Sequence, residues 1–362
     1  MRFLLSGYYG FGNLGDEALA RVIVAELKQR YAGCEIDVLS PHPEDTAREF
    51  GVASTPRAQL AALREAIAKA DVVISGGGGL LQNATSTRSL LYYAGIIRAA
   101  NRAKRKCMIF AQSIGPLDFL GKTVVREWCK GTRRATVRDE RSKKLLTSLL
   151  QGTPVEQTAD PVFLFKHGKE HPDLENEGLA PAGAPLVVVC VRKAPGIAEG
   201  VTIVANTVDY LSEKYGAHVA LLPLGGTEDA EVSTMVIRKC KSSPTLLPVS
   251  DLGRAAAVIA RADAVIGMRL HALIFAVRYG VPFLAIPYDP KVAALCEDIG
   301  YPLPPLWIPG SKRRLEEAEI RTLADRLMSD RQELASHLRS EAVRMRALAA
   351  RNFEVLDELV RE

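Results

Sequence analysis

The chain has few of the markers of a specialised environment. Its six cysteines, Cys34, Cys107, Cys129, Cys190, Cys240 and Cys296, are scattered, with no CxxC pair and no ligand-type spacing. That excludes a disulfide framework, and no His, Asp or Glu cluster adds a metal site, so the thiols are expected to be reduced and packed, as in a cytoplasmic protein. No apolar run approaches the roughly 20 residues that span a bilayer. MRFLLSGYYGFGN reaches a glycine loop after three or four apolar residues, which predicts a first strand and not a signal peptide. Aromatics make up only 6% and no basic stripe carries them, so nucleic acid is not an expected partner. Neither charge sign dominates: 47 Lys and Arg face 42 Asp and Glu, a net of +5. That small surplus suits an acidic or phosphorylated small substrate and allows peripheral contact with an anionic membrane surface.

What is present is an α/β alternation. RFLLSG, EIDVLS, ADVVISGGGG, KCMIFAQSIG and ATVRD read as strands, with helical stretches such as DEALARVIVAELKQRY and ERSKKLLTSLLQ between them. Residues 166–185 are polar and rich in Gly and Pro and read as a linker. The alternation resumes with PLVVVCVR, HVALLPLGG, PTLLPVS, ADAVIGM and VPFLAIPYD. The expected fold is two Rossmann-like domains facing each other across a cleft, residues 1–165 and 186–362, the second carrying the terminal helices. Along the tail, Leu323, Leu327, Leu334, Leu338 and Leu348 recur at helical spacing. The basic cluster Lys312, Arg313 and Arg314 reads either as a lipid-headgroup contact or as solvated surface.

Ligands of such folds bind at the carboxyl ends of strands, so the loops there carry the candidate chemistry. GYYGFGNLGDEA has Gly10, Gly12 and Gly15 in the dinucleotide order GxGxxG. Asp16 and Glu17, however, stand where a pyrophosphate would bind and would repel it. With Asn13 they suit sugar hydroxyls or proton transfer, or simply a favourable charge at a helix N-terminus. Four glycines, Gly76 to Gly79, follow the strand DVVIS; Gly77 and Gly78 would let a ligand approach the backbone. Gln112 and Ser113 end the next strand as possible substrate hydrogen-bonders. Arg138 ends another and suits an anion clamp, with an ion pair to Asp139 or Asp160 as the competing account.

In VIGMRLHALIFAVRYGVPFLAIPYDPK, residues 265–291, Arg269 and His271 stand where an apolar strand gives way to a helix, with Lys291 one strand-length on. A histidine in apolar company is often a core residue. A charged arginine beside it is costly to bury unless an anion pairs with it, which favours an anion site here. Arg192 and Lys193, and the turn holding Glu228 and Asp229, are further strand-end polar groups of lower specificity.

Taken together and in order, GYYGFGNLGDEA, SGGGGLLQN, AQSIGPL, VRDERS, DPVF and GMRLHALIFAVRYGVPFLAIPYDPK resemble the polysaccharide pyruvyl transferases, in particular their CsaB-like members. The resemblance implies a glycosyltransferase-B-like architecture. It also implies transfer of pyruvate from phosphoenolpyruvate to a sugar as a cyclic ketal, with no cofactor. In CsaB-like proteins the acceptor is an N-acetylmannosamine residue of a lipid-linked cell-wall precursor, and the product helps to anchor S-layer proteins. Arg138, Arg269 and His271 match donor-binding and catalytic positions of the family, and Lys291 matches a lysine in PYDPK. Asn13, Asp16, Glu17, Gly77 and Gly78 match motifs without a firm role. On this reading Arg138, Arg269 and Lys291 converge on one dianionic donor and His271 moves the proton. The rivals are a nucleotide-sugar glycosyltransferase and, from GFGNLG alone, a nicotinamide-dependent oxidoreductase.

Overall fold

The computed structural model describes residues 1–166, 179–248, 251–308 and 316–362. Most of the expected linker and the cluster Lys312, Arg313 and Arg314 lie outside them. The chain divides into two compact units, one of Met1–Phe165 with Met345–Glu362 and one of Lys166–Arg344.

The first unit holds a seven-stranded parallel sheet. Its strands are β1 (Arg2–Ser6), β2 (Glu35–Ser40), β3 (Ala53–Pro56), β4 (Val72–Gly76), β5 (Lys106–Gln112), β6 (Arg134–Val137) and β7 (Val155–Gln157), in the order β3-β2-β1-β4-β5-β6-β7. The helices are α1 (Leu14–Arg30), α2 (Pro43–Phe50), α3 (Leu60–Lys69), α4 (Thr87–Arg102), α5 (Phe119–Trp128) and α6 (Glu140–Leu149). Central strands such as β4, VVISG, are buried throughout, because helices cover both faces of a parallel sheet and leave no polar side to alternate with. β1 pairs with both β2 and β4, with Phe3 opposite Val72 and Leu5 opposite Ile74, so the strand order reverses there.

The second unit repeats the plan with five strands: β8 (Leu186–Cys190), β9 (His218–Leu221), β10 (Thr245–Leu246), β11 (Ala264–Gly267) and β12 (Phe283–Ala285), ordered β10-β9-β8-β11-β12. Its helices are α7 (Ile197–Tyr215), α8 (Thr227–Lys239), α9 (Leu252–Arg261), α10 (Leu270–Tyr279), α11 (Pro290–Asp298) and α12 (Glu317–Ser329). The order reverses at β8 and β11, where Val189 faces Ile266. The segment PTLLPVS forms only the two-residue exposed edge strand β10. Pro244 and Pro248 flank it, and a proline cannot donate to a ladder.

The last helix, α13 (Arg331–Arg361), corrects the sequence reading, which assigned all the terminal helices to the second domain. Its residues from Met345 onward pack in the first unit. There the Phe353 ring meets Phe110 edge-on at 5.0 Å, and Asn352 donates to the Ala159 carbonyl at 2.9 Å and accepts from Thr158 Oγ1 at 2.7 Å. Arg351 adds a two-pronged pair with Glu156 at 2.9 and 3.0 Å. Among the described residues no helix is long and apolar enough to cross a membrane.

Phe353 is fully buried, so Phe353→Ala should cost the first unit about 3–5 kcal/mol. Denaturant unfolding followed by a probe in that unit should show the midpoint fall. A midpoint unchanged within error would mean that the end of α13 does not complete this core.

Candidate functional site

In the first unit the loop after β1 meets the loop after β4 at the reversal point. Gly7 is required because the Tyr9 ring folds back over it: a Cβ there would lie 2.2 Å from a ring carbon. Tyr9, fully buried, donates its hydroxyl to the Gly76 carbonyl at 2.5 Å and so ties the two loops together. Gly77, at φ +69°, packs against Leu19, and a Cβ on Gly78 would sit 3.1 Å from Asp16 Oδ1. Close packing therefore accounts for much of the glycine run, and Asp16 lies against it.

Asn13 caps α1, its Oδ1 accepting from the Gly15 N–H at 3.3 Å. Glu17 Oε1 accepts from the Gly10 N–H at 2.8 Å. A dinucleotide needs the loop amides for its pyrophosphate, and here a carboxyl already occupies that of Gly10. The nicotinamide reading loses its physical basis. Glu17 is buried, its Oε2 has no hydrogen-bond partner among the described residues, and burial, reinforced by Glu49, pushes its pKa up to about 7.

Gln112, expected from the sequence to meet a substrate, is instead fully buried. Its Nε2 donates to the Ser75 carbonyl at 2.8 Å and to Ser75 Oγ at 2.9 Å, clasping β5 to β4. An irregularity in the β5–β6 register precedes it, with Ala111 at φ +48° and its N–H donating to Thr136 Oγ1 at 2.9 Å. Such a bulge re-aims the side chains that follow. Ser113, just beyond, accepts from Arg138 Nη2 at 3.1 Å. Arg138 is buried at the end of β6, and its Nη1 forms an ion pair with Asp160, which also accepts the Val162 N–H at 2.9 Å. Asp139 instead caps α6 through Ser142, so of the two sequence alternatives Asp160 is the partner.

In the second unit the ends of four adjacent strands gather the polar groups. Arg269 is the residue before α10, and His271 lies half-buried in that helix's first turn. Arg269 donates from Nε and Nη2 to the two carboxylate oxygens of Asp229, at 2.8 and 2.6 Å. Asp229 reaches β11 from the first turn of α8, after β9. Gly225 makes room for this pair, since a Cβ there would lie 1.7 Å from Arg269 Nη2. Asp229, which the sequence reading ranked low, is the partner that fixes Arg269. The signal was the GGTED turn, whose glycine has a steric reason to be there only once the fold brings Arg269 against it.

Arg192, after β8, stacks over Tyr288 with 4.5 Å between the guanidinium carbon and the ring centroid and donates to its hydroxyl at 2.9 Å. Lys291 opens α11 after β12, its Nζ 3.4 Å from the capping Asp289. The second unit thus brings together Arg269, His271, Arg192 and Lys291 at the ends of β8, β11 and β12 and at the N-termini of α10 and α11. Helix N-termini and guanidiniums in one place favour an anion. Among the described residues no three His, Cys, Asp or Glu side chains gather to hold a metal ion.

The polysaccharide pyruvyl transferase model matches residues 13–290, from the loop that caps α1 to the start of α11. The chain belongs to the polysaccharide pyruvyl transferase family. The match takes in Arg138, Arg269 and His271, and Lys291 stands one residue beyond it. Curated proteins give no match. Solved structures similar to this family member include a glycosyltransferase from Rickettsia africae, with TM-score 0.66, 10% identity and coverage of 100% of this chain and 98% of that one. HepE from Anabaena in complex with UDP-glucose gives 0.65 at 13% identity, covering 100% of both chains. The UDP-GlcNAc 2-epimerase from Neisseria meningitidis bound to UDP-GlcNAc gives 0.64 at 12%, covering 99% and 100%. At these identities the likeness is one of fold, and that fold is the glycosyltransferase-B type expected for a pyruvyl transferase.

Glu17 yields a prediction whose sign follows from its raised pKa. The unfolded carboxyl titrates near 4.5 and the folded one near 7, so between those values the native state binds more protons. Stability contributed by Glu17 therefore falls as pH rises through that window, by roughly 3 kcal/mol at most, and stays lost above it. Glu17→Gln should flatten the first unit's pH dependence between about pH 5 and pH 8 and stabilise it at the upper end. Thermal melts across that range check it; an unaltered slope would mean that Glu17 is ionised throughout.

Proposed function

We propose that this transferase moves the pyruvyl group of phosphoenolpyruvate onto two hydroxyls of one sugar, forming a cyclic ketal and releasing phosphate. The observation that carries the reading is the set of groups at the second unit's strand ends: Arg269 fixed by Asp229, His271 in the first turn of the same helix, and Arg192 and Lys291 alongside. Phosphoenolpyruvate is a small donor with a carboxylate and a phosphate. Two or three fixed cations and two helix N-termini match those charges and favour departure of phosphate.

In this mechanism His271 delivers a proton to the terminal carbon of the enol, leaving an oxocarbenium-like centre at the neighbouring carbon. A sugar hydroxyl adds there and gives up its proton to the imidazole. The second hydroxyl then displaces phosphate, which carries off the remaining proton. The scheme runs on cations and an acid–base group and calls for no cofactor. Asn13 and Asp16, beside the glycine loop of the first unit, are groups of the kind that bind sugar hydroxyls. The acceptor is an N-acetylmannosamine residue of a nucleotide- or lipid-linked cell-wall precursor. The protein then acts in the cytoplasm, at the inner face of the membrane where the acceptor is lipid-linked.

Phosphate release from phosphoenolpyruvate, measured against a panel of nucleotide- and lipid-linked N-acetylhexosamines, should require an acceptor. Transfer from a nucleotide sugar with no response to phosphoenolpyruvate would replace this reading with a glycosyltransferase. His271→Ala should lower kcat by about 10²–10⁴-fold with the fold intact by circular dichroism. Lys291→Gln should raise the donor KM about tenfold with a smaller effect on kcat. An unchanged donor KM would remove Lys291 from the site.

A further inference from the structure

α4 and α5 run back from the carboxyl ends of β4 and β5, so their C-termini lie at the sheet's other end, away from the glycine loop and Arg138. Between those two helix ends lies a cavity of about 510 Å³, ringed by Arg98, Arg102, Lys104, Arg105, Lys130 and Arg133. Its one acidic lining residue is Glu127. Among the described residues none of the six cations makes an ion pair, although exposed basic residues elsewhere in this unit, such as Arg2, Lys69 and Lys144, do.

Cations near a helix C-terminus are ordinarily explained by the helix dipole. Here that explanation is too small. Two helix ends supply roughly one negative charge between them and Glu127 one more, against six positive groups in one cavity. Two local features point the same way. The Arg105 Nε is buried and has no acceptor among the described residues. Lys104 closes α4 in the left-handed region, φ +55°, with its N–H on the Asn101 carbonyl and the Arg105 N–H on the Ala100 carbonyl. That position favours glycine, yet the chain places a charge there. Arg98 lies over Trp128, 4.9 Å from the ring centroid, which holds one guanidinium at the cavity wall.

We propose that this cavity is a second ligand site, distinct from the strand-end site, and that it binds a group bearing two or more phosphate charges. Arginine forks match phosphate oxygens in pairs, and the volume is that of a small-molecule site. The same chemistry is offered by a free diphosphate and by the phosphodiester headgroups of an anionic membrane.

Calorimetric titration of the full chain with pyrophosphate, and co-sedimentation with phosphatidylglycerol against phosphatidylcholine vesicles, separate the two sources. The variant Arg102→Gln/Lys130→Gln changes two exposed cavity residues; Lys239→Gln/Lys241→Gln removes the same charge from the second unit. The cavity variant should bind one equivalent less pyrophosphate per chain, or lose phosphatidylglycerol binding about tenfold or more, while the control changes neither by more than about twofold. Pyrophosphate binding identifies a soluble ligand, and vesicle binding alone identifies the headgroup. Binding of neither probe, or equal loss in both variants, would overturn the proposal.

Discussion

An arginine held at a strand end by a buried aspartate is the constraint on which the candidate chemistry depends, and the fold makes it twice. Arg269 meets Asp229 with both prongs, and Arg138 meets Asp160. A buried pair of this kind contributes little net stability, because desolvating both ions offsets their attraction. What it does is position. A free arginine samples many rotamers, and one locked by a carboxylate presents its charge in one place without spending ligand-binding energy to order it. Removing the aspartate would take away the carboxylate that fixes the guanidinium in that place.

The first unit's loops show the same economy in another form. Tyr9 ties the β1 loop to Gly76, and Glu17 holds the amide of Gly10. A loop amide already satisfied by a carboxyl of the following helix is preorganised and is not on offer to a pyrophosphate. The glycines that pack against Tyr9, Leu19 and Asp16 are Gly7, Gly77 and Gly78, outside the nucleotide-type spacing, and Gly10 within it lies against Ser40 and Thr46.

The central strands were legible because each is a continuous apolar run between turn signals, as in VVISG and LVVVC. The edges were not. β3, ASTP, and β7, VEQ, are half-buried and carry no apolar period; of the expected strand PTLLPVS only two exposed residues between prolines pair, as β10. The terminal leucines gave the helices correctly, with Leu334 and Leu338 buried, yet periodicity says which face of a helix is apolar and not which core it joins. Only the packing of Phe353 and Asn352 returns the end of α13 to the first unit.

The sequence by itself determined the α/β class, the two successive units, the family, and the positions of Arg138, Arg269 and His271 at strand ends, because these depend on local pattern and motif order. The tertiary structure decided the partners. Asp160 over Asp139, Asp229 on Arg269, Ser75 on Gln112 and Glu17 on the Gly10 amide are choices made across 7 to 40 residues. Local pattern does not reach that far. Which carboxylate meets which guanidinium is set by strand order and by the glycines that let backbone and side chain approach, and both exist only once the chain has folded.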